Sequence, residues 1–178
     1  MSNLQVTAVL GIDPGALGGI AIYLKEGQTR VVKMPRDDKD LRDLFQYYAD
    51  NYKPIAFLEK LSIRPDDSEP GKIYRIQKML ANFEHLKALL EVVGIPFVMI
   101  HPMSWQAKLG IRETTKGMEK RERKASYRAY AQRLYPLHKV TLWNADALLI
   151  MHFGRVMLAN DLNWVLANLP QREKDKLF

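Results

Sequence analysis

The run Val6-Thr7-Ala8-Val9-Leu10-Gly11-Ile12 is almost continuously apolar and closes on Asp13-Pro14-Gly15. A strand apolar on both faces belongs in the middle of a sheet covered on both sides, because a half-exposed strand would alternate. The rest of the chain must therefore supply flanking strands and two helical layers. Gly18-Gly19 leads into Ile20 to Leu24, and Glu26-Gly27 turns the chain into Thr29 to Met34, which predicts three strands joined as hairpins. Leu41, Leu44, Phe45 and Tyr48 predict a helix over 38–51. Pro54 restarts a strand, Ile55 to Leu58, ending on Glu59. Ile73, Ile76, Leu80, Phe83, Leu86 and Leu90 predict an amphipathic helix with Gly94 as its C-cap residue. Ile95 to Ile100 is the last strand, ended by His101-Pro102, and a charged segment leads to a helix of about Met118 to Leu134. The expected fold is α/β: a mixed five-stranded sheet, three antiparallel strands then two parallel, flanked by helices.

The 178 residues carry 27 Lys+Arg against 20 Asp+Glu, a net charge of +7, which favours a nucleic acid or an anionic membrane surface as partner. With no cysteine, disulfides and thiolate metal sites are excluded. No apolar stretch approaches the roughly 20 residues of a membrane-spanning helix, and no basic segment precedes an apolar run at the start. A soluble, cytoplasmic protein is expected, with one domain over 1–160 and a C-terminal short helix and tail over 161–178. Trp164, Val165, Leu166 and Leu169 mark that helix, and the charged end reads as a frayed terminus.

Three acids stand at element ends: Asp13 and Glu59 after apolar strands, Asp146 at the start of the very apolar helix from Ala147. Each has an ordinary reading. Asp13 suits a turn that caps its own backbone, with Pro14 presetting the turn and Gly15 accepting a positive φ. Asp146 suits a first-turn acid with Asn144 as N-cap. Glu59 is harder to explain, since an acid at the edge of a core is costly unless a cation or Lys60 offsets it. Strand-end acids in a basic chain point instead to divalent cations acting on a polyanion, because only a cation makes clustered carboxylates compatible with phosphate. Gly18-Gly19 reads either as turn chemistry or as room for a strand or a DNA backbone.

Five ordered segments carry a resemblance across roughly Val6 to Arg155. They are Gly11-Ile12-Asp13-Pro14-Gly15 with Gly18-Gly19-Ile20-Ala21; Leu58-Glu59-Lys60; His101-Pro102-Met103-Ser104-Trp105; Lys124 ahead of Ala131 to Pro136; and Ala145-Asp146-Ala147-Leu148-Leu149-Ile150. Together they resemble the motifs of RuvC-type Holliday junction resolvases, with short phage-like members the most similar. The resemblance implies a ribonuclease-H-like fold over 1–160, a homodimer, and Mg²⁺-dependent nicking of four-way junctions or other branched DNA, with Mn²⁺ able to substitute. It makes Asp13, Glu59 and Asp146 the metal ligands of two ions about 4 Å apart. By family position, Lys124 contacts the scissile phosphate or its neighbour. The chain departs from the pattern where the family presents a second acid or a histidine one turn before the last aspartate: Thr141 to Ala145 offer neither. Asn144 is the candidate neutral fourth ligand, with His138 as a more distant one. That departure keeps open a junction-binding protein with a degenerate site. An actin-like kinase, whose phosphate loop resembles Gly11 to Gly19, needs two such domains and does not fit this length.

The basic residues suggest where DNA lies. Lys108, Arg112, Lys116, Lys120, Arg121, Arg123, Lys124 and Arg128 form a charged segment with Arg133, Glu119 and Glu122 interspersed. Such a pattern reads as a solvated helix with local ion pairs or as a stripe of phosphate contacts. Trp105 either buttresses this segment or stacks on a base. A second group, Arg64, Lys72, Tyr74, Arg75 and Lys78, follows Glu59 in a turn-rich stretch and the helix after it. In the resembled family this region meets the crossover, which makes Ile63 and Tyr74 candidate wedges. Met79, Phe83, Leu86 and Leu90 face either the sheet or a symmetric partner.

Overall fold

The computed structural model describes residues 4–15, 17–61 and 70–178, the side chains of 70–72 excepted. Arg64, Ile63 and the Lys72 side chain lie outside the described residues. The elements are β1 (Ala8–Ile12), β2 (Gly19–Leu24), β3 (Thr29–Lys33), α1 (Asp38–Asn51), β4 (Pro54–Glu59), α2 (Pro70–Val93), β5 (Phe97–Ile100), α3 (Pro102–Lys108), α4 (Ile111–Thr114), α5 (Lys120–Leu134), α6 (Ala145–Asn160), α7 (Leu162–Asn168) and α8 (Gln171–Lys174). The sheet order is β3-β2-β1-β4-β5. β1 runs antiparallel to β2 and β2 to β3, whereas β4 lies parallel to both β1 and β5. This is the expected mixed five-stranded sheet flanked by helices.

Both faces of the central strands are buried, as their unbroken apolar sequence requires. Val9, Ala21, Ile55, Phe57, Val98 and Ile100 face one core with α3, α5, α6 and α7. Leu10, Ile12, Ile20, Ile22, Ala56 and Leu58 face the other, with α1 and α2. β3 is one of the two sheet edges, where Arg30 and Lys33 are exposed and disfavour further pairing.

Local chemistry places the helix ends. The Asp37 carboxylate accepts from the Lys39 and Asp40 N–H groups at the start of α1. α2 stops at Gly94, which takes φ +77°, while the Ile95 N–H donates to the Leu90 carbonyl. Within the segment read only as charged, Pro102 opens α3 and left-handed Gly110 separates it from α4.

Two expectations need correction. Gly15 is not among the positive-φ glycines, which for the described residues are Gly27, Gly94, Gly110 and Gly117. The turn after β1 closes by hydrogen bonds instead: Gly15 N–H to Asp13 Oδ1 at 3.1 Å and Gly18 N–H to the Gly15 carbonyl at 2.7 Å. Nor is the C-terminus frayed: Leu177 is buried, and its carbonyl accepts from the Gln5 N–H at 2.8 Å. Gly19 does give room to a neighbouring strand, since a Cβ there would meet the Val32 carbonyl oxygen of β3 at 2.8 Å and the Trp143 ring at 2.9 Å, while one on Gly18 would meet the Asp13 carbonyl of its own turn at 2.3 Å.

Candidate active site

Ile12 pairs in register with Leu58 across parallel strands, so the next residues, Asp13 and Glu59, leave β1 and β4 side by side. Strand alternation turns both away from the face of Ile12 and Leu58 and toward the α6 layer. Asp146 comes from the first turn of α6, which is held very close to β1. A Cβ on Gly11 would lie 2.4 Å from the Ala147 carbonyl oxygen and 2.2 Å from the Met151 nitrogen. Gly154, one stretch further along α6, admits the Phe57 ring of β4 in the same way, a Cβ there meeting it at 2.4 Å. These two glycines set the depth of the helix and hence the place of its first acid.

Neighbouring carboxylates raise the proton affinity of Glu59 and of Asp13. Burial is the main cause of the upward shift of Glu59, to about 8, with Asp13 and Asp146 adding to it and the Trp105 N–H and Lys124 opposing it. Asp13 is also pushed up, by burial and then by Asp146, against the Gly15 N–H and Lys124. Asp146 is buried; its Oδ2 accepts from Lys124 Nζ, while its Oδ1 is buried without a hydrogen-bond partner. Burial acts to lower the Lys124 pKa, but Asp146, Asp13 and Glu59 outweigh it and hold the ammonium above its ordinary value. Among the described residues, Lys124 thus supplies the countercharge in contact with the cluster. Among the described residues no three acids or imidazoles are gathered tightly enough to form a finished metal shell. The donor set nonetheless suits a hard divalent cation: carboxylate oxygens only, one of them orphaned, in surroundings where like charges repel.

Trp105, on α3, is buried rather than stacked for a base, and its Nε1 donates to Glu59 Oε1 at 2.8 Å. The turn after Asp13 is held from the other side of the sheet by α2, where Asn82 Nδ2 donates to the Pro14 carbonyl at 2.7 Å. Sequence reasoning missed both contacts. Asn144 is corrected as a ligand candidate: its Oδ1 accepts from the Thr141 N–H at 2.7 Å and its Nδ2 donates to the Lys139 carbonyl at 3.2 Å. The side chain braces the loop before α6. His138 packs its ring edge on Tyr135 in that loop.

The basic residues divide into groups. Lys120, Lys124, Tyr127 and Ala131 fall on one stripe of α5, and Arg121 and Arg128 on the neighbouring, exposed one. Arg112, Lys116 and Arg123 line a groove of about 630 Å³ with His101, Met103 and Tyr127. Lys108 is exposed at the end of α3. On the other side of the Asp13 turn, Arg75 and Lys78 line a second groove of about 420 Å³ with Pro14, Leu17 and Arg36. Arg36 was not foreseen, because no motif surrounds it. Tyr74 is 66% exposed, with Lys78 Nζ 4.6 Å from its ring centroid. Phe83, Leu86 and Leu90 face the sheet, so their place is the core.

No protein-family model and no curated protein matches the chain. Solved structures do match. RuvC of Thermus thermophilus is similar at 15% identity and a TM-score of 0.53, covering 91% of this chain and 98% of that one. T. thermophilus RuvC in complex with Holliday junction substrate is similar at 16% identity and a TM-score of 0.53, covering 87% and 96%. With sheet order, strand directions and flanking helices in agreement, the chain has a RuvC-like fold of the ribonuclease-H-like kind.

Proposed function

We propose that this protein is a metal-dependent, structure-selective endodeoxyribonuclease that nicks four-way junctions or other branched DNA. The observation that carries the reading is the cluster of Asp13, Glu59 and Asp146 at one end of the sheet, with Lys124 against Asp146. Support comes from the RuvC-like fold and from the junction-bound state of T. thermophilus RuvC. In this reading Asp13, Glu59 and Asp146 hold two Mg²⁺ ions, with Mn²⁺ able to replace them, and the ions supply Lewis-acid activation of water and of the phosphodiester. In the metal-free site Asp146, Asp13 and Glu59 raise the proton affinity of Lys124 against the effect of its burial. Its Nζ then serves as a donor to a phosphate oxygen as negative charge develops there. The two grooves receive flanking phosphates: Arg112, Lys116 and Arg123 on one side, Arg75 and Lys78 on the other, with Lys108, Lys120, Arg121 and Arg128 adding long-range attraction. A homodimer with two equivalent sites suits a substrate with two equivalent strands.

A second reading, a junction-binding protein with a degenerate site, is favoured by one observation. Asn144 is turned into its own loop, so that position adds no fourth ligand beside Asp146. A synthetic four-way junction incubated with the protein in Mg²⁺ or Mn²⁺ separates the two. Nicking that is lost in both Asp13→Asn and Glu59→Gln is expected for the nuclease. Tight binding with no nicking in either metal supports the second reading, and full activity in both variants would sink the site assignment.

A further inference from the structure

Trp105 and Glu59 are 46 positions apart and meet through the 2.8 Å bond from Nε1 to Oε1. The indole is 1% exposed and packs edgewise on Tyr127 of α5, with centroids 5.7 Å apart and planes at 66°. Tyr127 is buried in turn, and Lys124 Nζ lies 6.0 Å from its ring centroid. The donor is therefore clamped. Turning it away would open the core shared by Trp105, Ile111 and Tyr127 and strand a buried N–H at a cost of about 1–3 kcal/mol.

The chemistry of this donor matters as much as its rigidity. A Lys or Arg in its place would orient Glu59 but cancel the charge that a divalent cation needs. An indole N–H is neutral and donates only, so it fixes Oε1 while leaving the carboxylate its charge and Oε2 its lone pairs. Bulk alone would not require this: a phenylalanine fills a core against Tyr127 without any polar atom beside the acid. We propose that Trp105 is a positioning residue for divalent cations, holding Glu59 in its ligating orientation without neutralising it. The proposal rests on the reading of Asp13, Glu59 and Asp146 as metal-holding acids.

Calorimetric titration of the full chain with Mn²⁺, without DNA, tests it apart from catalysis. Trp105→Phe keeps most of the ring and removes the donor. Its Mn²⁺ affinity is expected to fall about 10-fold, the scale typical of partners that orient a ligand, with the metal-free circular dichroism spectrum unchanged. Should Trp105→Phe fail to fold, β-(3-benzothienyl)alanine at position 105 preserves the indole shape and replaces only N–H by sulfur; the same loss is expected. Wild-type affinity in the folded variant overturns the proposal. Unchanged affinity in Glu59→Gln overturns the reading of the acids themselves, and the role of Trp105 falls with it.

Discussion

α6 and α2 cover opposite faces of the same sheet and are built on different terms. α6 lies at backbone distance from β1, and every residue from Ala145 to Met151 is buried. α2 buries Phe83, Leu86 and Leu90 in its second half, while Ile73, Tyr74, Arg75 and Lys78 near its start stay exposed. The helix that carries a site acid is set into the sheet, and the helix that carries surface cations rests on it at one end. A carboxylate that must share a small volume with two others needs a fixed depth. Groups that meet a long, deformable polyanion do not.

The sharpest test of that contrast is Gly11→Val. Its side chain would start inside the α6 backbone, which has no rotamer to yield, so a loss of about 3 kcal/mol or more is expected, near the top of the range for overpacking. Urea denaturation measures it; a variant as stable as wild type would show that α6 is not seated on β1.

Next in size is the effect of crowding three acids under α6. With its pKa at about 8 against an ordinary 4.5, Glu59 holds a proton in the folded state that the unfolded chain has released. The associated stability is fully present below pH ~4.5 and lost as the pH rises through ~8, and Asp13 acts in the same direction. Metal-free protein should therefore lose Tm between pH 5 and pH 8.5, by about 5 °C. Glu59→Gln should flatten the decline, and Mg²⁺ should restore most at the upper end. A wild-type Tm that rises across this window, or the same slope in Glu59→Gln, contradicts the arrangement.

Gly154→Ala is gentler, since its Cβ meets the Phe57 ring rather than backbone. About 2 kcal/mol of overpacking is opposed by about 1 kcal/mol of helix propensity gained over glycine. The expected net loss is about 1 kcal/mol in the same urea experiment, and a gain in stability would mean that Phe57 moves freely.

Least disturbing to the fold is Tyr74→Ala on the exposed part of α2. Stability should change by no more than about 0.5 kcal/mol, while four-way junction affinity falls a few-fold and duplex affinity stays put. Equal losses on both substrates, read by fluorescence anisotropy, would remove Tyr74 from the crossover.

Much of what depends on neighbours in the chain was legible from the sequence alone. The apolar run ending at Ile12 read as a central strand because burial on both faces leaves no room for alternation. Asp13, Glu59 and Asp146 stood out because each interrupts an apolar element at its end, and α1 and the Gly94 stop followed from periodicity and caps. Other features depend on which distant segments the sheet brings together. Lys124 meets Asp146 across 22 positions, and Trp105 meets Glu59 across 46. Leu177 docks beside Gln5 from the far end of the chain. Asn144 looked like a ligand because of where it stands in the sequence, but its amide satisfies the Lys139 carbonyl and the Thr141 N–H, which must find partners once that loop packs against the sheet. Gly11 read as one more member of the apolar run and of the first motif until α6 lay upon it: how closely a helix may approach a strand is a property of both surfaces, and one-dimensional spacing records neither.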